Sequence, residues 1–251
     1  MHIAAIDLNV DAAEHAARLD ADRELVGLAT SVNIACGGHA GNPELMATLV
    51  RAARASGAAI GAHPGYPDRE NFGRREVRLP RAQVAASVHD QVLALARIAA
   101  DDAATLRHCK PHGALYHRAM READLAEAIA EAALRAVARV TGDPFARLLF
   151  VGLPGTPGLA RWQEMGLEVA REGFADRAYE QDGRLRSRDN EDAVITDASR
   201  AAEQATRLAQ GGTVDTLCVH GDTPNAAGVL RAVRAGLHEA AIDVRPPGSG
   251  G

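Results

Sequence analysis

The chain of 251 residues contains almost no lysine: of its 28 lysine and arginine residues, only Lys110 is lysine. The compact ammonium group of lysine, whose pKa can be tuned, is not equivalent to the planar guanidinium of arginine. Lys110 lies two residues before His112, just after a short apolar run. Because a strand-end histidine is a frequent carrier of chemistry, we interpret this lone lysine as a candidate functional residue.

Aromatic residues are also scarce, at 3%, which leaves little material for stacking bases or sugars. The three cysteines, Cys36, Cys109 and Cys218, form no CxxC pair, so a disulfide framework is not expected. No apolar stretch approaches the ~20 residues of a membrane span, and the N-terminal segment lacks the basic start of a signal peptide. With a net charge of -5, we expect a cytoplasmic protein that acts on a small molecule and binds neither nucleic acid nor membrane.

Short apolar runs alternate with longer alanine-rich segments of helical periodicity, which predicts a parallel sheet. Seven such units in a chain of this length favour a (β/α) barrel over an open doubly wound sheet. We assign residues 1–244 to one barrel domain and expect 245–251 to form a disordered tail. The predicted strands are Ile3–Asn9, Ser31–Cys36, Ala58–Ala62, Leu106–Cys109, Leu148–Gly152, Glu168–Glu172 and Thr216–Val219. The predicted helices are Glu44–Ala55, Arg81–Ala100, Asp124–Ala138, Pro157–Met165, Ala198–Ala209 and Asn225–Ala241.

Polar residues follow most of the predicted strands. Because parallel strands of a barrel end on one face, we expect these side chains to converge there. A single histidine after a strand is more often structural, but several in matching positions indicate a shared site. The converging residues are Asp11, His39, His63, Lys110, His112 and His220. The polar segment Asp176–Asp192 is predicted to be a long loop over the barrel mouth.

Asp11, His39 and His63 offer a carboxylate and two imidazoles, a plausible ligand set for a divalent ion with open positions. The alternative is a polar pocket in which these histidines transfer protons or form hydrogen bonds. Arg74, followed by Arg75, could clamp an anionic group or could equally belong to a solvated pair of arginines. Asp176 and Arg177 form either a local ion pair or part of the site. The sequence leaves these alternatives open.

Four strings carry a resemblance to a known family: IACGGHAG (34–41), GAHPGYPD (61–68), KPHGALY (110–116) and VHGDTP (219–224). In combination they resemble the LamB/YcsF family of 5-oxoprolinase A subunits. The resemblance implies a seven-stranded (β/α) barrel of the polysaccharide-deacetylase type. It also implies ATP-dependent opening of the 5-oxoproline lactam to glutamate, with ATP (with or without Mg²⁺) as cofactor and subunits B and C as partners.

From these motifs and the strand-end pattern we predict two groups of site residues. The predicted catalytic residues are Asp11, Lys110, His112, His220 and Asp222. The predicted substrate-binding residues are Glu14, Asn33, His39, His63, Tyr66, Arg74, Asp176 and Arg177. Two other hypotheses remain: a metal-dependent hydrolase or deacetylase of a small amide or N-acetyl sugar, and a non-catalytic scaffold or binding subunit.

The sequence departs from the family pattern at several positions. Ala12 and Ala13 stand where the family usually has Leu-Gly, and Gly38 and Asn42 stand where it has Phe and Asp. The first-strand loop and the pocket lining are therefore the regions where this chain is expected to differ from the family norm.

Overall fold

The computed structural model describes residues 5–188 and 190–248. Seven parallel strands close into a barrel, because the first strand pairs with both the second and the seventh. This confirms the predicted seven-stranded (β/α) barrel. A short eighth strand, parallel to the first, pairs with its first two residues. The strands are β1 (Ala5–Ala12), β2 (Ser31–Ala35), β3 (Ala59–His63), β4 (His108–Cys109), β5 (Leu149–Gly152), β6 (Val169–Phe174), β7 (Thr216–Val219) and β8 (Asp243–Val244).

Helices connect the strands and bury one apolar stripe each against the sheet. Among the described residues, no helix is both long enough and apolar enough to cross a membrane. The helices are α1 (Leu19–Leu28), α2 (Pro43–Ser56), α3 (Arg81–Asp101), α4 (Gly113–Arg121), α5 (Ala123–Thr141), α6 (Pro157–Glu164), α7 (Ala198–Gln210) and α8 (Ala226–Glu239). A short 3-10 helix, Ala16–Arg18, precedes α1.

Two of these helices, α1 and α4, were not predicted from the sequence. α4 begins at Gly113 in the left-handed conformation (φ 53°), directly after His112. Glycine in that conformation is typical of a turn, so the local pattern hides the helix start. α1 is short and has no side-chain cap.

The core between sheet and helices consists mainly of aliphatic side chains, as the low aromatic content requires. β2, β5 and β7 are buried along their whole length, as expected for parallel strands covered on both faces. The largest buried side chain, Trp162 of α6, packs against Phe150 of β5 with ring centroids 5.1 Å apart. Its indole N–H donates to the Ala126 carbonyl oxygen at 2.8 Å.

The strand bounds differ from prediction where they matter for function. β1 continues to Ala12, so Asp11 lies inside the strand, in register with Asn33 of β2. Ile3, the predicted first strand residue, lies outside the described residues. Of the predicted tail, Arg245 donates its backbone N–H to the Ile6 carbonyl oxygen at 3.0 Å, and residues 249–251 are not described.

The described residues of the segment Asp176–Asp192 include isolated antiparallel bridges but no helix or regular strand. Arg177 pairs with Val194, and Tyr179 pairs with Leu185. Leu185, Arg186 and Arg188 face the cavity at the barrel mouth. The predicted loop therefore forms one wall of that cavity.

Candidate active site

A cavity of about 530 Å³ lies at the carboxyl ends of the barrel strands. The predicted site residues that line it are Asp11, Glu14, His63, Arg74, Lys110, His112, Arg177, His220 and Asp222. Three others, Asn33, His39 and Asp176, are buried directly behind this lining and contact it. Tyr66 is buried elsewhere, where its hydroxyl contacts Arg118 at 3.2 Å.

Lys110 forms the floor of the cavity and is only 3% exposed. Its Nζ lies 2.9 Å from Asp11 Oδ1 and 2.8 Å from Glu172 Oε1, and it donates to Asn9 Oδ1 at 3.1 Å. Burial opposes the charged ammonium, but Asp11 and Glu172 hold the pKa of Lys110 well above its ordinary value. The lone lysine is therefore a charged, fully paired side chain.

Asp11 is held in place by two donors on the same oxygen. Asn33 Nδ2 donates to Asp11 Oδ1 at 2.8 Å, beside the Lys110 ammonium. Asn33 is itself fixed by His108, whose Nε2 donates to Asn33 Oδ1 at 2.8 Å. Burial opposes ionisation, but His63 and Lys110 hold the pKa of Asp11 well below its ordinary value. Asp11 is thus a carboxylate whose second oxygen, Oδ2, remains directed at His63, 3.5 Å away.

The sequence interpretation missed Glu172, which completes this group. Glu172 lies in β6, is 1% exposed, and accepts a hydrogen bond from the Tyr116 hydroxyl at 2.7 Å. An acidic residue inside a strand of a buried sheet is a signal that could have identified it. We call Lys110, Asp11, Glu172, Asn9 and Asn33 the lysine network.

A second group lies closer to the rim and contains Glu14, His39, His63 and His112; we call it the histidine cluster. Glu14 Oε1 is 3.3 Å from His39 Nε2 and 3.3 Å from His112 Nδ1. Burial lowers the pKa of His39 to about 2 and lowers that of His112 well below its usual range. Burial, reinforced by the charge of Asp11, raises the pKa of Glu14 to about 7.

Backbone carbonyls fix the tautomers of two of these histidines. His63 Nδ1 lies 2.7 Å from the Lys110 carbonyl oxygen, and His112 Nε2 lies 2.9 Å from the Phe72 carbonyl oxygen. A carbonyl oxygen only accepts, so each of these nitrogens carries the proton. When both rings are neutral, the remaining nitrogens, His63 Nε2 and His112 Nδ1, are acceptors that face each other at 3.0 Å.

On the opposite wall, His220 is oriented by Asp176. His220 Nδ1 lies 2.9 Å from Asp176 Oδ1, and the His220 backbone N–H and the Thr223 hydroxyl donate to Asp176 Oδ2 at 2.8 and 2.6 Å. Burial opposes ionisation of Asp176, but His220 and these hydrogen bonds lower its pKa below the ordinary value. The carboxylate therefore holds the ring by Nδ1 and leaves Nε2 for the cavity.

Arginines give the rim a positive character. Arg74 pairs with Asp222, which also lies 3.6 Å from Arg188. The guanidinium of Arg177 is buried and donates to the carbonyl oxygens of Ala193 and Arg186 at 3.2 and 2.7 Å. Burial lowers the pKa of Arg177 to about 10. A guanidinium buried in a cavity wall is suited to an anionic ligand.

The sequence matches the profile of the LamB/YcsF family over residues 6–250. The chain belongs to the LamB/YcsF family. A curated relative from Chloroflexus aggregans, named as the A subunit of 5-oxoprolinase, is 44% identical over 256 residues that cover 96% of this chain and 98% of the relative. Another relative of that name, from Heliobacterium modesticaldum, is 42% identical and covers 96% and 97%.

Solved structures support the fold. A lactam utilization protein from Thermus thermophilus superposes with a TM-score of 0.82 at 40% identity, covering 96% of this chain and 99% of its own. A family 4 carbohydrate esterase from Streptomyces lividans superposes with a TM-score of 0.51 at 14% identity, covering 96% and 91%. The predicted deacetylase-type barrel is confirmed.

The structure shows the surroundings of two residues that depart from the usual LamB/YcsF sequence. Ala13, where the family usually has glycine, adopts the left-handed conformation (φ 65°), and its backbone N–H donates to Asp22 Oδ2 at 2.9 Å. Asn42, where the family has Asp, still caps α2 by accepting from the Leu45 backbone N–H at 2.9 Å. Both residues therefore take part in a local hydrogen bond in this chain.

Proposed function

We propose that this chain is the A subunit of an ATP-dependent 5-oxoprolinase, which opens the lactam ring of 5-oxoproline to glutamate together with subunits B and C. The observation that carries the proposal is the juxtaposition, in one cavity, of the buried Lys110–Asp11 pair and the Asp176–His220 pair. It is supported by the 44% identity to a relative named as the A subunit of 5-oxoprolinase. The word subunit in that name motivates the proposed partners.

A five-membered lactam is a stable amide, and this explains the need for ATP. Transfer of the γ-phosphoryl group to the lactam oxygen releases ADP and makes the carbonyl carbon electrophilic. Water then adds to that carbon, the carbon–nitrogen bond breaks and the nitrogen takes a proton, which leaves an acyl phosphate. A second water releases the phosphate from this acyl phosphate. In sum, 5-oxoproline, ATP and two water molecules give glutamate, ADP and phosphate.

Within this scheme Asp11 accepts the proton of the attacking water. Its Oδ1 is already occupied by Lys110 and Asn33, so Oδ2 is the basic atom that faces the cavity side. His220, held through Nδ1 by Asp176, delivers a proton from Nε2 to the departing nitrogen. Lys110 acts through Asp11 rather than on the substrate, because its ammonium is enclosed by its partners.

The arginines bind the charged parts of the reactants. Arg177 is proposed to receive the carboxylate of 5-oxoproline, because its guanidinium lies in the cavity wall and its described hydrogen bonds go to backbone carbonyls. Arg74, which forms an ion pair with Asp222 at the rim, is proposed to contact the phosphoryl oxygens.

The proposal is tested by mixing the chain with candidate B and C subunits, 5-oxoproline and ATP, and measuring glutamate and ADP. We expect equal amounts of both products, and neither when ATP is omitted. The His220→Asn variant, which lacks the proposed proton donor, is the matched negative control for a reaction in this cavity. Absence of glutamate from a complex shown to be assembled would overturn the proposal, and release of acetate from an N-acetyl sugar by the chain alone would favour the deacetylase hypothesis.

A further inference from the structure

We infer that Glu14, His63 and His112 form a binding site for one divalent transition-metal ion at the barrel mouth. The site differs from the carboxylate and two histidines that the sequence grouped together: of those, only His63 remains a ligand. The inference concerns metal binding by this chain alone and does not depend on the proposed lactam chemistry.

Two hydrogen-bond acceptors face each other in this site when both imidazoles are neutral. His63 Nε2 and His112 Nδ1 then direct their lone pairs at each other across 3.0 Å, because the other nitrogen of each ring donates to a backbone carbonyl. Glu14 Oε1 lies 3.3 Å from His112 Nδ1 and 4.0 Å from His63 Nε2. Acceptors that face one another repel unless a cation or a shared proton lies between them, so this arrangement is suited to a bound cation.

The distances between these three atoms match those between the ligands of a metal ion. Ligands bound at about 2.0–2.1 Å around a tetrahedral ion are roughly 3.3 Å apart. The three observed separations of 3.0, 3.3 and 4.0 Å bracket that value. Two imidazoles and one carboxylate suit zinc, cobalt, nickel or iron better than magnesium or calcium, which prefer oxygen ligands.

Backbone carbonyls hold both histidine ligands in place. Metal-binding histidines usually donate their second N–H to a carbonyl or carboxylate, as His63 and His112 do here. The carbonyl that holds His112 belongs to Phe72, whose backbone is in the left-handed region (φ 54°) despite its side chain. Such a conformation is costly in a non-glycine residue and is typical of functional sites.

His39 belongs to the same cluster, but its ring orientation excludes it as a ligand alongside His112. The two rings are stacked, with centroids 3.6 Å apart and an interplanar angle of 6°. An ion bound to an imidazole lies in the plane of the ring, and one ion cannot lie in two parallel planes. We therefore assign His39 the role of positioning Glu14, whose Oε1 lies 3.3 Å from His39 Nε2.

The test uses the untagged full-length chain without substrate or partners. Its metal content is measured by mass spectrometry after purification. The chelator-treated protein is then titrated with Co²⁺, and the visible d–d absorption is followed. We expect one ion per chain and an absorption typical of low coordination. Wild-type protein with neither a stoichiometric ion nor a Co²⁺ spectrum would overturn the inference and indicate that the two histidines share a proton instead.

Variants identify the ligands. We expect His63→Asn and His112→Asn to weaken Co²⁺ affinity by more than about 100-fold, and His39→Asn by about 10–100-fold, as for a residue that supports a ligand. The surface variant His89→Asn should bind as the wild type does. Circular dichroism confirms that each variant is folded. A folded His112→Asn variant with unchanged affinity would contradict the assigned ligand set.

Discussion

The lysine network and the histidine cluster lie side by side in one cavity, but they satisfy their polar atoms differently. In the lysine network an ammonium meets two carboxylates and an amide oxygen, at 2.8 to 3.1 Å from its nitrogen. In the histidine cluster two imidazole lone pairs and a carboxylate oxygen face one another. The first group is complete within the protein, whereas the second is complete only when a cation or a shared proton lies between its acceptors.

This difference leads us to expect that substitutions in the two groups affect different properties, stability in one and function in the other. Removal of one partner from a buried, fully hydrogen-bonded ion pair destabilises the folded state, because the other charge stays buried without a partner. A cluster of mutually opposed acceptors contributes little to folding and retains its capacity to bind. We therefore expect variants of Lys110 and Glu172 to lose mainly stability and variants of the histidine cluster to lose mainly function.

The largest effect is expected for Lys110→Met. Without the ammonium, Asp11 and Glu172 remain as uncompensated neighbouring carboxylates, so we expect a loss of about 3–5 kcal/mol in the free energy of unfolding. Urea unfolding measures it, with Arg107→Met, at an exposed position near β4, as the control. A change below about 1 kcal/mol would remove the distinction drawn between the two groups.

Lys110→Arg keeps the charge but not its shape and tests whether the compact ammonium is required.

Asp176→Asn is expected to slow glutamate formation by about 10²–10⁴-fold, because the His220 ring loses the acceptor that orients it. Steady-state rates of the reconstituted complex measure this. In a His220→Asn background the same substitution should have no further effect, since Asp176 acts through His220. Additive losses in the double variant would show that the two residues do not act as a unit.

A pH effect is expected from Asp7, which lies deeper in the barrel than the lysine network. Burial, opposed by hydrogen bonds from Thr216, Thr30 and Ser31, raises the pKa of Asp7 from 3.8 to about 6. The folded state therefore retains a proton that the unfolded chain releases, and stability falls as pH rises from about 4 to 6.

Comparison with Asp7→Asn isolates this effect from the other carboxyl groups. The stability of the wild type relative to the variant should fall by up to about 3 kcal/mol across that range and then level off. Asp101→Asn, at an exposed position, should show no such slope. A pH-independent difference for Asp7→Asn would contradict the raised pKa.

The smallest effect on stability is expected for Glu14→Gln, and it compares the two groups directly. In metal-free protein we expect a change below about 1 kcal/mol, because the neutral amide is no harder to bury than a carboxyl group with a pKa of about 7. The same substitution at Glu172 removes a partner of Lys110 and should cost about 1–3 kcal/mol. Thermal unfolding of both variants measures the contrast, and equal losses would refute it.

The prediction from sequence succeeded where the signal was local. Histidines in glycine- and proline-rich turns after apolar runs were placed correctly at the mouth of a barrel, as His63, His112 and His220 show. Tyr66 stands in an equally specific string but points away from the cavity toward Arg118. A motif identifies a segment that approaches the site, but it does not say which of its side chains faces inward.

Glu172 illustrates the opposite case. It belongs to none of the four family strings, and its role arises because β6 carries it to Lys110, which follows β4. Likewise Asp11 and His39 looked equivalent as metal ligands in the sequence. In the structure Asp11 is held by Lys110 and Asn33, while His39 lies parallel to His112. Partners contributed by distant strands cannot be derived from spacing along the chain.

The sequence by itself determined the barrel, the set of segments at its mouth and the single lysine, because hydrophobic periodicity and turn residues act over a few neighbouring positions. The tertiary structure decided what each side chain does. The partners that keep Lys110 charged come from β1 and β6. The carbonyls of Lys110 and Phe72 choose the tautomers of His63 and His112. Charge state and tautomer depend on hydrogen bonds between segments far apart in the chain, and only the closed barrel brings those segments together.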